Sequence, residues 1–285
     1  EPGRGEVRFA SVPMWLGFSL DIRPPLEELF RGRTYRGIRT RVNTLASEGY
    51  AWRFSTSKAD FEHFYHEMYL PSLRERHGEA ALVTPSDVQY RWWFRAGGLL
   101  LVEQNGMPVA GTLTYVAGNR CYGIEAGILN GDPEPLRRGV KTYLVHCAIE
   151  WAKAQGAEVL DFGGSRPWLC DGALKFKKGW GTVIGPYPGA YSRWHWHFGD
   201  MSRELARRIN EIGLICESNG GYLRTVVAGE DGSAVGGDPW GPASAPAGLA
   251  GECRVAGGSA PPGGSTQAQS VPERPQGREG RARVA

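Results

Sequence analysis

No apolar run in these 285 residues approaches the ~20 that a bilayer-crossing helix needs. The opening residues also lack the short apolar stretch of a secretory signal. Stable membrane insertion is therefore not expected, and a cytoplasmic protein is. Charge of one sign is equally scarce. A net charge of +3 suits an anionic cofactor or substrate but falls short of a nucleic-acid footprint, so DNA is not an expected partner. The five cysteines, Cys121, Cys147, Cys170, Cys216 and Cys253, form no CxxC and no zinc-like spacing. An odd, dispersed set fits a reducing compartment. No metal is expected: His63, His66 and Glu67 share a helix, but no second cluster completes a site, and the group reads as a polar helix face. Heptad repeats are absent too. What the chain does have is apolar mass: a hydrophobic content of 41%, with ten Trp and eleven Tyr, is adequate for a sizeable core.

Composition divides the chain into three. Residues 228–285 are Gly, Pro, Ala, Ser and Arg with almost no large apolar side chains, and such a stretch cannot offset its ordering entropy. A disordered tail is expected there, either inert or used for interaction. Residues 1–25, opening on Glu1 and closing on Pro24-Pro25, are read as the remnant of an upstream unit. Between them, 26–227 should be one domain. Apolar residues about one turn apart predict helices over 26–48 and 58–76, and another opens at Thr84-Pro85-Ser86-Asp87. The period then changes. Strands at 99–103, 108–116 and 120–129 are joined by Asn105-Gly106 and Gly118-Asn119, both hairpin signals. A helix from about Pro135 to Gln155, a strand at 158–162, strands at 182–186 and 192–197 and a last helix over 201–217 complete the order. The alternation Trp194-His195-Trp196-His197 places the tryptophans inward, as core.

The most informative segment follows the 158–162 strand: Asp161-Phe-Gly-Gly-Ser-Arg-Pro-Trp-Leu-Cys-Asp-Gly-Ala-Leu-Lys-Phe-Lys-Lys-Gly-Trp-Gly181. Paired glycines at a strand end admit a close backbone approach, and cations beside aromatic rings suit an anionic or carbonyl group. This segment resembles the signature of FemAB-like members of the GNAT acyltransferase superfamily, in which an acidic-aromatic-glycine strand end precedes Phe-Lys-x-x-aromatic-Gly. The opening Arg36-Gly-Ile-Arg39-Thr-Arg-Val-Asn43 is similar as well, and the resemblance spans about 33–184. It implies an α+β (α/β), GNAT-like fold whose central, mostly antiparallel mixed sheet is flanked by helices.

The same resemblance implies a site. In such enzymes the donor pyrophosphate lies on free amides at the start of the helix after the third hairpin strand, here near Arg137, Arg138, Gly139 and Lys141. This chain keeps one glycine there and has a lysine where a small residue is usual; a solvated basic helix start is the other reading. Phe176-Lys177 falls on the Phe-Lys pair used near the reacting ester, where an ammonium stabilises developing charge. Phe176 and Trp180 frame it as substrate-binding aromatics, unless Lys175, Lys177 and Lys178 are only solvated charges. Asp161 and Glu125 are the carboxylates placed near the splayed central strands. Either is a candidate general base once burial raises its pKa. Asp161 could equally bond the Gly163-Gly164 amides, and Glu125 could pair with an arginine. Arg166, beside Ser165, is a candidate for a substrate carboxylate.

The expected function is transfer of an acyl group from acyl-CoA or acetyl-CoA to a small-molecule or peptide amine by direct attack, since no cysteine has a histidine arrangement that suggests a nucleophile. Two rivals stand beside it. One is an aminoacyl-tRNA-dependent peptidyl transferase, which makes tRNA a partner. The other is a catalytically silent GNAT-like domain, whose cleft would be filled by side chains.

Overall fold

The computed structural model describes residues 9–32, 35–187, 192–197, 203–218, 221–228 and 249–256. The chain starts with β1 (Phe9–Pro13) and β2 (Leu16–Asp21). The helix expected over 26–48 is two, α1 (Leu26–Leu29) and α2 (Arg36–Ser47). They separate because Phe30 turns into the core and the Arg39 guanidinium takes the carbonyls of Phe30 and Gly32. Arg33, expected on that helix, lies outside the described residues.

After β3 (Tyr50–Ser55) comes one long helical run: α3 (Lys58–His63), a π-helical stretch (Phe64–Tyr69) and α4 (Leu70–His77). The wide turn ends just before Pro71, which has no N–H to continue the ordinary ladder. A second helical run joins α5 (Ser86–Gln89) to a π-helical turn (Tyr90–Phe94). The expected meander then forms as β4 (Gly98–Gln104), β5 (Met107–Ala117) and β6 (Arg120–Ile128), all antiparallel.

The helix expected from about Pro135 is broken into α6 (Pro133–Arg138) and α7 (Val140–Ala154). Gly139 sits at the break with φ +97°, a left-handed conformation that favours glycine. Next come β7 (Val159–Ser165), α8 (Gly172–Gly179), β8 (Val183–Pro186) and β9 (Arg193–His197). The described chain ends with α9 (Arg203–Ile212), β10 (Ile215–Ser218), β11 (Gly221–Ala228) and β12 (Leu249–Ala256). The first two residues of the helix expected over 201–217 lie outside the described residues.

The main sheet has the order β3-β4-β5-β6-β7-β2-β8, and a smaller one runs β12-β11-β10-β1-β9. Only the β6–β7 pairing of the main sheet is parallel, so the expected mixed, mostly antiparallel sheet flanked by helices is what forms. Helix α7 packs its Val140, Leu144, Ile149 and Ala152 against Leu100 and Val102 of the meander. The π-helical stretch adds Phe64, Met68 and Tyr69, packed with Leu99, Leu101 and Leu113.

Three expectations change. Residues 16–21 are part of the main sheet rather than a leftover: Leu16 pairs with Ser165 on one side and Pro186 on the other. In the expected tail, Leu249–Ala256 forms a strand parallel to β11. Backbone pairing at a sheet edge draws on N–H and C=O groups that every residue carries, so composition understated it; the tail residues 229–248 and 257–285 lie outside the described residues. Finally, Trp194 is exposed (42%) rather than core. Among the described residues no helix is long and apolar enough to cross a membrane.

Candidate active site

Strands β6 and β7 pair only from Arg120↔Val159 to Tyr122↔Asp161. Both continue beyond that point, so a gap opens between them, covered by α7 and α8. The gap is a cavity of about 210 Å³ lined by Glu125, Lys141, Leu144, Val145, Phe176 and Lys177, among others. A wider chamber of about 660 Å³ carries the rings of Trp15, Trp93, Tyr115, Tyr122 and Tyr187. The two spaces share a wall made of Arg76, Gly123, Glu125, Asp161, Phe162 and Lys177.

Lys177 lies on α8. Asp171 caps it by accepting from the Leu174 N–H at 2.9 Å, an ordinary N-cap. Leu174 and Lys177 are buried on one face of α8 while Lys175 is exposed, so Lys175 and Lys177 do not share a face. Lys177 is only 7% exposed, which corrects the solvated-cluster reading. Its Nζ donates to the carbonyls of Gly163 (3.1 Å) and Gly164 (2.7 Å) and stands 5.1 Å from the Phe18 ring centroid. Burial, then the nearby Lys141, lowers its pKa to about 7, against the pull of Asp161 and Asp171.

Asp161 takes the turn-holding role. Its Oδ1 accepts from the Gly163 N–H at 2.7 Å and its Oδ2 from Arg120 at 3.1 Å. Both oxygens are thus engaged within the fold, as in the alternative reading in which Asp161 bonds the glycine amides. Glu125 has no such partner among the described ion pairs. Burial pushes its carboxyl up to about 7, with Arg76 opposing.

Of the four donor-site candidates, only Lys141 lines the cavity. Its ammonium lies 4.5 Å from the Phe176 ring centroid, and burial followed by Arg76 lowers its pKa to about 8. Arg137 and Arg138 fall on the last turn of α6. There they pair with Glu134 at 2.7 Å and with Glu48, so neither faces the gap. Gly139 makes the break that turns Lys141 inward.

Phe176 lines the cavity as expected, but Trp180 does not. It is 2% exposed and packs on Phe30, Phe162 and Phe176 with centroids 5.6, 6.2 and 6.4 Å away. Arg166 is exposed over Trp168 at 5.0 Å, and Ser165 is buried beside β2; neither lines either space. His66 faces Glu62 at 3.5 Å, and no group of three His, Cys, Asp or Glu among the described residues could hold a metal.

The sequence reading missed Arg76 and the aromatic chamber. The chamber did leave a signal: the Gly118-Asn119 hairpin sets Tyr115 opposite Tyr122, and their rings stack at 4.9 Å. The glycine pair serves the same wall. A side chain at Gly164 would meet Trp15 at 3.2 Å and Tyr187 at 3.3 Å.

Glu125 also ties stability to pH. Its carboxyl holds a proton more tightly when folded, so its contribution to stability is full below about 4.5 and is lost as pH rises to about 7. Lys177 has the opposite sign: its penalty is complete below about 7 and is relieved as pH climbs toward 10.5. In denaturant melts, Glu125→Gln should therefore match the native chain more closely at pH 5 than at pH 8. The variant should gain on the order of 1–3 kcal/mol relative to it across that interval. A difference that does not change with pH would show that Glu125 titrates normally.

Compared with known proteins, the profile of the Acetyltransferase (GNAT) domain matches residues 32–178. No curated protein sequence matches the chain. Among solved structures, L-PGS from Bacillus licheniformis is similar at 14% identity and a TM-score of 0.47, over 62% of this chain and 59% of that one. FemX is similar at 15% identity and a TM-score of 0.49, over 64% and 61%. The ribosomal-protein-S18-alanine N-acetyltransferase from Escherichia coli is similar at 17% identity and a TM-score of 0.30, over 38% and 62%. The chain thus spans about three-fifths of the length of each of these proteins.

Proposed function

The chain belongs to the acetyltransferase (GNAT) domain family, and from that premise we propose that it moves an acyl group from an acyl-CoA thioester to an amine by direct attack. The observation that carries this reading is the pair of spaces meeting at Glu125 and Lys177. The narrow cavity is below the ~300–1,000 Å³ of sites that enclose a drug-sized ligand, so it suits the acyl end of a donor. The wide chamber suits the larger acceptor. An open gap also argues against a silent domain whose cleft is filled.

In this mechanism the acceptor amine, entering from the aromatic chamber, attacks the thioester carbonyl carbon. Glu125 removes the amine proton; a carboxylate with a pKa near 7 is well matched to that task at neutral pH. Lys177 commits two of its three protons to Gly163 and Gly164, which fixes its position, and the third is available to the carbonyl oxygen as charge builds there. The C–S bond then breaks, and the thiolate departs and takes a proton.

Calorimetry and mass spectrometry test this with acetyl-CoA, longer acyl-CoAs and aminoacyl-tRNA as donors. A bound CoA ester and an acylated amine product support the proposal. Binding and turnover of aminoacyl-tRNA alone would replace it with the peptidyl-transferase reading, and no binding of any donor would favour the silent domain. On the same footing, Lys177→Ala should slow turnover by about a hundredfold or more. It should also lower stability, because two buried carbonyls lose their donor. Lys177→Arg should recover part of both. A variant that loses stability but keeps its rate would leave Lys177 with a positioning role only.

A further inference from the structure

Lys141 is the group in the narrow cavity that protein chemistry leaves unbalanced. Its charge neighbours are two other cations, Arg76 and Lys177. Glu125, on the same lining, forms no ion pair with Lys141 among the described residues, and Asp161 is already bonded to Arg120 and the Gly163 N–H. Arg76, Lys141 and Lys177 thus present three cationic groups to one small space, against a single unpaired carboxyl, Glu125. A half-buried ammonium resting on a ring face, without a counter-charge, is costly to keep charged. A ligand that brings an anion restores the balance.

The shape of the lining says where that anion sits on the ligand. Leu144, Val145 and Ala148 of α7 line the same cavity as Phe162 and Phe176, so a short methylene stem would lie on apolar surface. Lys141, in the first turn of α7 and against Phe176, would meet the end of such a stem. An acetyl group would leave Lys141 unanswered. An aminoacyl group would set its α-ammonium among like charges.

Resting on the acyl-CoA reading above, we infer that the acyl group taken into this cavity ends in a carboxylate, so that the donor is the monothioester of a short dicarboxylic acid. The reaction balances without a further reagent. The amine nitrogen bonds to the thioester carbonyl carbon, the C–S bond breaks, the thiol leaves with one proton, and the distal carboxylate stays unchanged on the new amide.

Calorimetric titration with succinyl-CoA and butyryl-CoA tests this, because the two acyl chains match in length and only the former carries the terminal carboxylate. The native protein should bind succinyl-CoA roughly tenfold or more tightly than butyryl-CoA, the size expected for a charge-assisted contact. Lys141→Met should abolish that preference, and Lys141→Arg should keep part of it. Should the methionine variant not fold, the native comparison and the arginine variant still decide. Equal affinity for the two esters would overturn the inference while leaving acyl-CoA transfer standing. An equal loss for both esters in Lys141→Met would also overturn it, since Lys141 would then hold a phosphate of the donor. Failure of the native chain to bind any CoA ester would sink both this inference and the reading beneath it.

Discussion

Replacing Glu125 by glutamine is expected to lower turnover by about a hundredfold to ten-thousandfold, the range for loss of a positioned general base. The change is nearly isosteric, so the cavity keeps its shape and only proton acceptance is lost. The pH profile adds a test that a merely structural residue would not pass. Native activity should rise as Glu125 ionises near 7 and fall as Lys177 loses its proton, also near 7, giving a narrow bell whose limbs belong to the interacting pair. Glu125→Gln should erase the rising limb, and Lys177→Arg should move the falling limb to higher pH. An unaltered rising limb in Glu125→Gln would transfer the base to another group or to the substrate itself.

Trp180→Ala is expected to cost about 3–5 kcal/mol of stability, the loss typical of removing a large aromatic from a packed core. The indole is almost fully buried and shares a cluster with Phe30, Phe162 and Phe176. The edge-on contacts with Phe30 and Phe176 stabilise beyond the area they bury. Trp180→Phe should retain most of the stability and the donor affinity. This outcome separates a framing role from a binding one: if Trp180→Phe kept its melting temperature but lost donor affinity, the ring would have to reach the cavity in solution.

The sequence revealed order better than contact. The meander was readable because Asn105-Gly106 and Gly118-Asn119 fix turns locally, and α7 because its apolar face repeats every turn. Lys177, Phe176 and Glu125, which line the cavity, were singled out as candidates through a motif and through the splay that goes with it. Trp180 belonged to the same motif, yet α8 turns it into the core: a string of residue types does not say which side of a helix each one occupies. Arg137 and Arg138 misled for a related reason. Their basic character was plain, but Glu134 is one turn away and Glu48 lies on a distant segment, and Gly139 reverses the backbone between them and Lys141. Arg76 left no local trace. It ends a helix far from the motif, and only the tertiary fold brings it to the shared wall.

The position of β2 bears on how the molecule assembles. The meander and its helices join neighbours in the chain and can form early, as local contacts tend to. The strand that seals β7 comes from the opposite end of the domain: Leu16 must find Ser165, closing a loop of about 150 residues whose entropic cost is only logarithmic but falls due before its contacts form. Until β8 has also been made, β2 has just one of its two edges to join. The far wall of the cleft is therefore the last part of the sheet to be secured during synthesis. Meanwhile Leu16 and Phe18, fully buried at the end, wait in solvent on a bare strand, the kind of species that is most prone to associate with its own copies.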